Sequence, residues 1–566
     1  MRRIFFVLLI ISASNVKTYS QSFSINTDNS IADTSAILDI KSSAKGILIP
    51  RMSKPQRKAI FQPAAGLLIY QNSPDSTGFY FYDGSAWYWV FSSGNMLYGD
   101  STSWKRSGNS GTNPVSNFIG TTDNQPLNFR VNNLKAGSLD HINHNTSLGS
   151  ASLLNYTGNN TVAVGDSSLF EGTSGADCVA IGHAALKFNT TGHDNTASGY
   201  LSLYKTTSGF QNTANGSNAL FSNTTGSDNT AVGMSALFSN TTGFVNTAIG
   251  FATLFSNTTG SFNTAIGEFS MHDNTIGANN TTLGNFSLQF NTTGSGNTAS
   301  GNQALKLNTT GGNNTANGAN ALFSNLTGFQ NTAIGGFSMQ GNKTGSNNVS
   351  IGINTFINDT SDSNNTAVGN FAGDLAKNDN SNTFIGFGAN NTSGIALVNS
   401  TALGNGAAIT ASNQVRVGNA GVTSIGGQVG WSTLSDGRYK KNVQQNVPGI
   451  SFIMKLKPVT YNVDANALNS FYKTKLSPGN ADVLIARKKI LYSGFIAQEV
   501  EKAAMETNYD FSGVDKPKNE KDLYSLRYAD FVAPLVKAIQ EQQQMINDLQ
   551  KQLHVLMKRV EQLKNE

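Results

Sequence analysis

The run LSDGRYKKNV, Leu434–Val443, brings a hydroxyl, a carboxylate, a guanidinium and an amine close together in the chain. Ser435 is a weak nucleophile at neutral pH and needs a base beside it. Lys440 is the nearby candidate, and a lysine serves as a base only where burial or a second cation lowers its pKa. Asp436 and Arg438 lie between them. The chemistry such a group could do is covalent attack by Ser435 with Lys440 as general base. A serine and a lysine five residues apart are common, and on its own the run reads more simply as a turn with a basic tail. What lies on either side of it therefore decides the matter.

Composition narrows the choice. The chain has 566 residues, 57 of them Gly and only 11 Pro, and 13% are charged. An ordinary globular domain carries about 25% charged residues. A net charge of +5 over this length, with no Lys/Arg stripe in the long middle, gives no reason to expect a nucleic-acid partner. Arg2 and Arg3 precede an apolar run, Ile4–Ile11, and Ser20–Gln21 offers a cleavage point. This is a signal-peptide pattern over residues 1–20, and it implies a secreted or cell-surface protein. The run is too short to span a bilayer, and no transmembrane span is expected in the mature chain. Cys178 is the single cysteine, so no internal disulfide is possible. His141, His144, His183, His193 and His272 show no metal-ligand spacing, and no metal or cofactor is expected.

The middle of the chain repeats with a period of 17. NTAVG begins at Asn229, NTAIG at Asn246 and again at Asn263, and the register runs from Thr161 to Asn382. Looser copies follow at Ser400 and Gln414. Each unit is too short for two helices and offers a short β-prone segment, a glycine, an apolar patch and a polar turn such as SNTTG. Such units must stack, one coil upon the next. At the strand spacing of about 4.8 Å the stack is a rod roughly 65–70 Å long. Only five charged residues occur from Asn195 to Gln330: Lys205, Asp228, Glu268, Asp273 and Lys306. Much of each coil is therefore expected to face another chain. The NTT triplets fit a glycosylation pattern but read more simply as turns.

These repeats resemble the NSVAIG-type units of trimeric adhesin heads, which implies a parallel β-roll in a three-chain bundle. Ahead of them, SAILDIKSSAKGILIPRMSKPQRKAI (Ser35–Ile60) and GLLIYQNSPDSTGFYFYDGSAWYWV (Gly66–Val90) predict short strands and a hairpin. This stretch resembles the N-terminal module of exported fibre-like proteins of the Bacteroidetes type. Its aromatics, among them Tyr80, Phe81, Trp87 and Trp89, read as hairpin packing before sugar binding.

Behind the repeats, LSDGRYKKNV is followed by ISFIMKLKPVTYNVD (Ile450–Asp464), YSGFIAQEVEKA (Tyr492–Ala503) and YSLRYADFVAPLVKAIQEQ (Tyr524–Gln542). In order and spacing, these four segments resemble the peptidase S74 domain, the intramolecular chaperone at the ends of endosialidases and other tail fibres. The resemblance covers about 135 residues, from Trp431 onward. It implies a Ser-Lys dyad in the motif S-D-x-R-x-K, with Ser435 as nucleophile, Lys440 as base, and Asp436 and Arg438 as matching motif positions. The chain ends in heptads: Ile539, Ile546, Leu553 and Val560 at one core position, Leu535, Gln542, Leu549, Leu556 and Leu563 at the other.

The expected fold is mainly β: a β-roll or solenoid of 17-residue repeats, a small N-terminal β module, and an α+β chaperone domain ending in a coiled coil. The expected divisions are 1–20 signal peptide, 21–100 β module, 101–150 connector, 151–430 solenoid, 431–530 chaperone domain and 531–566 coiled coil. The expected function is an exported homotrimeric fibre whose C-terminal domain directs trimerisation and then cuts itself off. A cell-surface glycan or host surface is the expected outside partner, and one alternative is an uncleaved surface adhesin with a permanent C-terminal trimerisation domain. The other is a tailspike-like enzyme acting on polysaccharide, against which the repeats offer no paired carboxylates.

Overall fold

The computed structural model describes residues 22–73, 76–90, 110–113, 118–473 and 480–566. The predicted signal peptide lies outside the described residues. The chain forms two units, Met1–Ile119 and Gly120–Glu566.

In the first unit, β1 (Arg51–Ser53) runs parallel to β2 (Leu68–Ser73), which pairs antiparallel with β3 (Gly78–Tyr82), and that with β4 (Trp87–Trp89). The aromatics pack across the strands, Phe81 stacking on Tyr88 at 5.7 Å and Tyr82 meeting Trp87 at 5.4 Å. Arg57 is buried among them. It donates to Gln71 Oε1 at 2.9 Å, and its guanidinium lies 4.2 Å from the centre of the Tyr80 ring. A planar cation over an aromatic face is attractive and keeps the buried charge partnered.

The second unit opens with an antiparallel meander, Leu127–Val131, Leu134–Asp140 and Asn145–Leu148, inside the stretch read as a connector. Its last strand pairs in parallel with Val162–Val164, and a single parallel ladder then climbs coil by coil to Val415–Val417. Residue pairs such as Ala231↔Ala248 and Ala248↔Ala265 hold the 17-residue step. Successive rungs join each strand to the one a coil away, so the sheet is a rod with two ends. Each strand is three residues long. Its middle residue, usually Ala, points inward with no exposure, and a Leu, Met or Phe further along the coil fills the rest of the core. Small and large groups thus interdigitate in one continuous column. Tyr204, Phe221, Phe238, Phe255 and His272 repeat the coil spacing along the rod, with ring centres 4.9–5.1 Å apart and near-parallel planes.

The asparagines of the NTT turns and those that open the NTAIG segments are core residues. Asn246 and Asn257 are fully buried. Asn246 Nδ2 donates to Asn229 Oδ1 at 3.1 Å and to Gly260 O at 2.9 Å, and Asn229 Oδ1 also takes the Asn246 amide. Asn257 Nδ2 donates to Asn240 Oδ1 at 2.7 Å and to Gly260 O at 2.9 Å. Two asparagine ladders therefore run inside the rod, each side chain bonded to the same residue one coil back. A buried amide is tolerable only when its hydrogen bonds are met in this way. The arrangement also leaves no access for a glycan on Asn257.

Two breaks in the second ladder make it testable. Thr206 stands one coil after Asn189 where asparagine stands elsewhere. Asn189 Oδ1 and Thr206 Oγ1 are buried without a hydrogen-bond partner among the described residues. Thr206→Asn supplies the missing amide and is expected to stabilise the rod by about 1–3 kcal/mol, the usual cost of an unmet buried polar group. The urea midpoint checks this, and an unchanged or lower midpoint contradicts it.

Asp359 makes the other break, one coil after Asn342. One of its oxygens accepts from the Ser361 and Asp362 amides at 3.2 and 2.9 Å. Its other oxygen and Asn342 Oδ1 have no partner among the described residues. Burial, with the Asp362 carboxylate next to it, pushes the Asp359 carboxyl up to about 8. The folded pKa lies above the unfolded 3.8, so the folded rod holds a proton that the unfolded chain gives up. Stability at this end of the rod therefore falls as pH rises from about 4 to about 8. Asp359→Asn restores the amide and is expected to shrink that slope, leaving the part carried by Asp379, which burial raises to about 6, and to raise the urea midpoint at neutral pH. Melts at about pH 5 and about pH 9 read both effects.

The C-terminal body packs Phe452, Val500, Ala503, Ala504, Phe511 and Phe531 into a core of its own. Val459–Tyr461 pairs antiparallel with Tyr492–Gly494, and helix Ala497–Glu506 lies over that core. A 34-residue helix, Val532–Asn565, ends the chain. Its heptad residues stand in solvent, Leu549 at 63% exposure and Leu563 at 67%. An exposed apolar seam of this length is what a coiled-coil partner covers. Among the described residues no helix is long and apolar enough to cross a membrane.

Candidate functional site

Residues 421–448 join the last rod coil to the C-terminal body as a strap. Its one regular element is a short 3₁₀ turn, Gly437–Tyr439. Asp436 caps that turn, its side chain accepting the Arg438 amide at 2.9 Å. Short polar side chains favour such caps because they meet an amide that has no partner within the turn. Arg438 folds back on Asp436, with Nη2 to Oδ2 at 2.6 Å. The bond from Arg438 holds the Asp436 carboxyl below its ordinary range.

The turn brings the two ends of the motif together. Lys440 Nζ donates to Ser435 Oγ at 2.7 Å. All four motif residues therefore fall into two contacts: the Ser435–Lys440 pair, and the Asp436–Arg438 pair that shapes the turn between them. Ser435 and Lys440 are both exposed, as is the strap from Thr423 to Leu434. The pair has the geometry of a nucleophile beside its base, with both side chains open to solvent.

Other candidates fall away. Cys178 is buried inside the rod in line with the asparagines of the first ladder. Burial pushes its thiol up to about 11, which suits an inert core residue. Among the described residues no cluster of His, Cys, Asp or Glu is arranged to hold a metal. Sequence reading missed Glu541, whose carboxylate accepts the Ile450 amide at 2.8 Å and fixes the far end of the strap. A contact spanning 91 residues leaves no local pattern to find.

Two family models match parts of the chain. Residues 24–114 match the phage tail like trimerisation region, and residues 435–508 match the chaperone of endosialidase, Peptidase S74. The second match opens at Ser435. No curated protein matches the chain. The two matches support a homotrimeric, tail-fibre-like protein with a C-terminal chaperone domain.

Proposed function

We propose that this protein is an exported fibre whose C-terminal domain sets the register of three chains and then cuts the strap at Ser435. The observation that carries this reading is the 2.7 Å contact between Lys440 Nζ and Ser435 Oγ, placed on the strap that joins rod to chaperone. A rod of near-identical coils can pair with its neighbours one coil out of step. A domain that trimerises independently, through the seam on Val532–Asn565, aligns three rods from one end. Assembly then encloses the dyad, desolvates Lys440 and frees it to take the Ser435 proton. The cut is a single turnover, and it removes the route back through the aligned state.

The exposure of the dyad favours a second reading, in which the domain stays uncut as a permanent trimerisation cap on a surface adhesin. Intact mass and light scattering of the purified chain separate the two. A trimer containing a C-terminal piece of about 130 residues supports cutting at Ser435, near the start of the chaperone match. A trimer of full-length chains supports the permanent cap.

A further inference from the structure

The C-terminal body does more than follow the strap: it grips the end of the rod. Asp522 is 8% exposed and faces the last coil. Its Oδ1 accepts from Thr410 Oγ1 at 2.6 Å and Gln414 Nε2 at 3.4 Å, with Arg416 Nη2 at 3.6 Å. Its Oδ2 accepts from the Lys518 amide at 3.2 Å. Asn519 Nδ2 donates to Thr410 O at 2.7 Å, and Lys518 Nζ to Ser412 O at 3.3 Å. Arg487 reaches back to donate to Ala420 O. Ala420 itself is buried with Ala465 and Leu484. More than a hundred residues separate the two sides of most of these contacts, and none of them passes through the strap.

We infer that the Asp522 cluster is a clamp that holds the chaperone domain on the rod independently of the covalent strap. Both strap ends are anchored on the same body, Ala420 by Arg487 and Ile450 by Glu541. A cut at Ser435 therefore leaves the two pieces bound, and release is a separate event. The grip also has a second effect. Thr410 O and Ser412 O belong to the terminal coil, where a further coil would stack. Donors from Asn519 and Lys518 occupy them instead. The domain thus covers part of the terminal coil, beside the last strand of the ladder.

This inference extends the proposed function, and its test does not depend on self-cleavage. A recognition site for a sequence-specific protease is placed between Gly426 and Gly427, where both glycines are exposed. The full chain carries Ser435→Ala, so only the added protease can cut. Complete nicking is confirmed on a denaturing gel, and the nicked protein is passed over a sizing column at neutral pH. The clamp requires rod and C-terminal piece to elute together. Thr410→Val keeps the side-chain shape and removes the donor to Asp522. It is expected to speed separation of the nicked pieces about tenfold or more, since bonds to a charged group carry about that weight. Asp522→Ala should act at least as strongly. Circular dichroism of the uncut variants, matching the parent, shows that both still fold. Immediate separation of the nicked parent, or variants that separate at the parent's rate, overturns the inference.

Discussion

Ser435→Ala and Lys440→Ala are expected to leave the chain at full length under conditions in which each parent chain is cut into two pieces. Removing the Ser435 hydroxyl removes the proposed nucleophile, so cutting stops. Removing the Lys440 amine leaves the hydroxyl without a base, and general base catalysis is worth about 10²–10⁴-fold. Lys441→Ala is the internal control, because Lys440 Nζ alone is bonded to Ser435 Oγ. Lys440→Arg is expected to fail as well. A guanidinium keeps its proton at any ordinary pH and cannot act as a base. The dyad also predicts a dependence on assembly. Leu549→Asp with Leu556→Asp places charge in the exposed seam of the last helix, far along the chain from the strap. If trimer contacts enclose the dyad, those chains stay whole although Ser435 and Lys440 are untouched. Intact mass after a fixed time reads every case. Cutting by the Ser435→Ala chain would falsify the assignment outright.

The second large effect is expected in the rod. Gly250 sits at φ +134°, a conformation that side chains rarely adopt, and a Cβ there would lie 2.6 Å from Gly267 O and 2.8 Å from Thr253 Oγ1. The first contact is with the backbone of the next coil, which cannot swing aside. Gly250→Ala must therefore spread the stack at that rung as well as strain its own backbone, which alone costs about 1–3 kcal/mol. In a quasi-one-dimensional rod each coil leans only on its neighbours, so the rung loses its coupling to both sides. Gly336→Ala is the matched control: a Cβ there meets nothing within 4 Å. It is expected to change stability by no more than about 0.5 kcal/mol. Urea melts followed by circular dichroism compare the pair. Two equal midpoints would show that the close glycine stacking does not limit the rod.

The 17-residue period, the glycine at each strand end, the four motif residues and the heptads are all local patterns, and each is written directly in the order of residues. The period fixed the parallel ladder because strict register admits one stacking step. The motif placed Ser435 and Lys440 within reach because a short turn between them suffices. What the residue order left open is whatever depends on a neighbour far along the chain. Asn257 reads as a turn residue because asparagine suits turns, and nothing local marks Asn246 as buried. Only the stack revealed them as buried, since their partners lie one coil away. The cost of Thr206 and Asp359 followed from the same contacts. The meander at Leu127–Leu148 and the Asp522 clamp carry no periodicity at all. They exist because the two ends of a stack expose edges that other parts of the chain must cover. The period determined the rod, and tertiary structure decided how its ends are closed, because an edge is satisfied by whichever groups the fold brings to it.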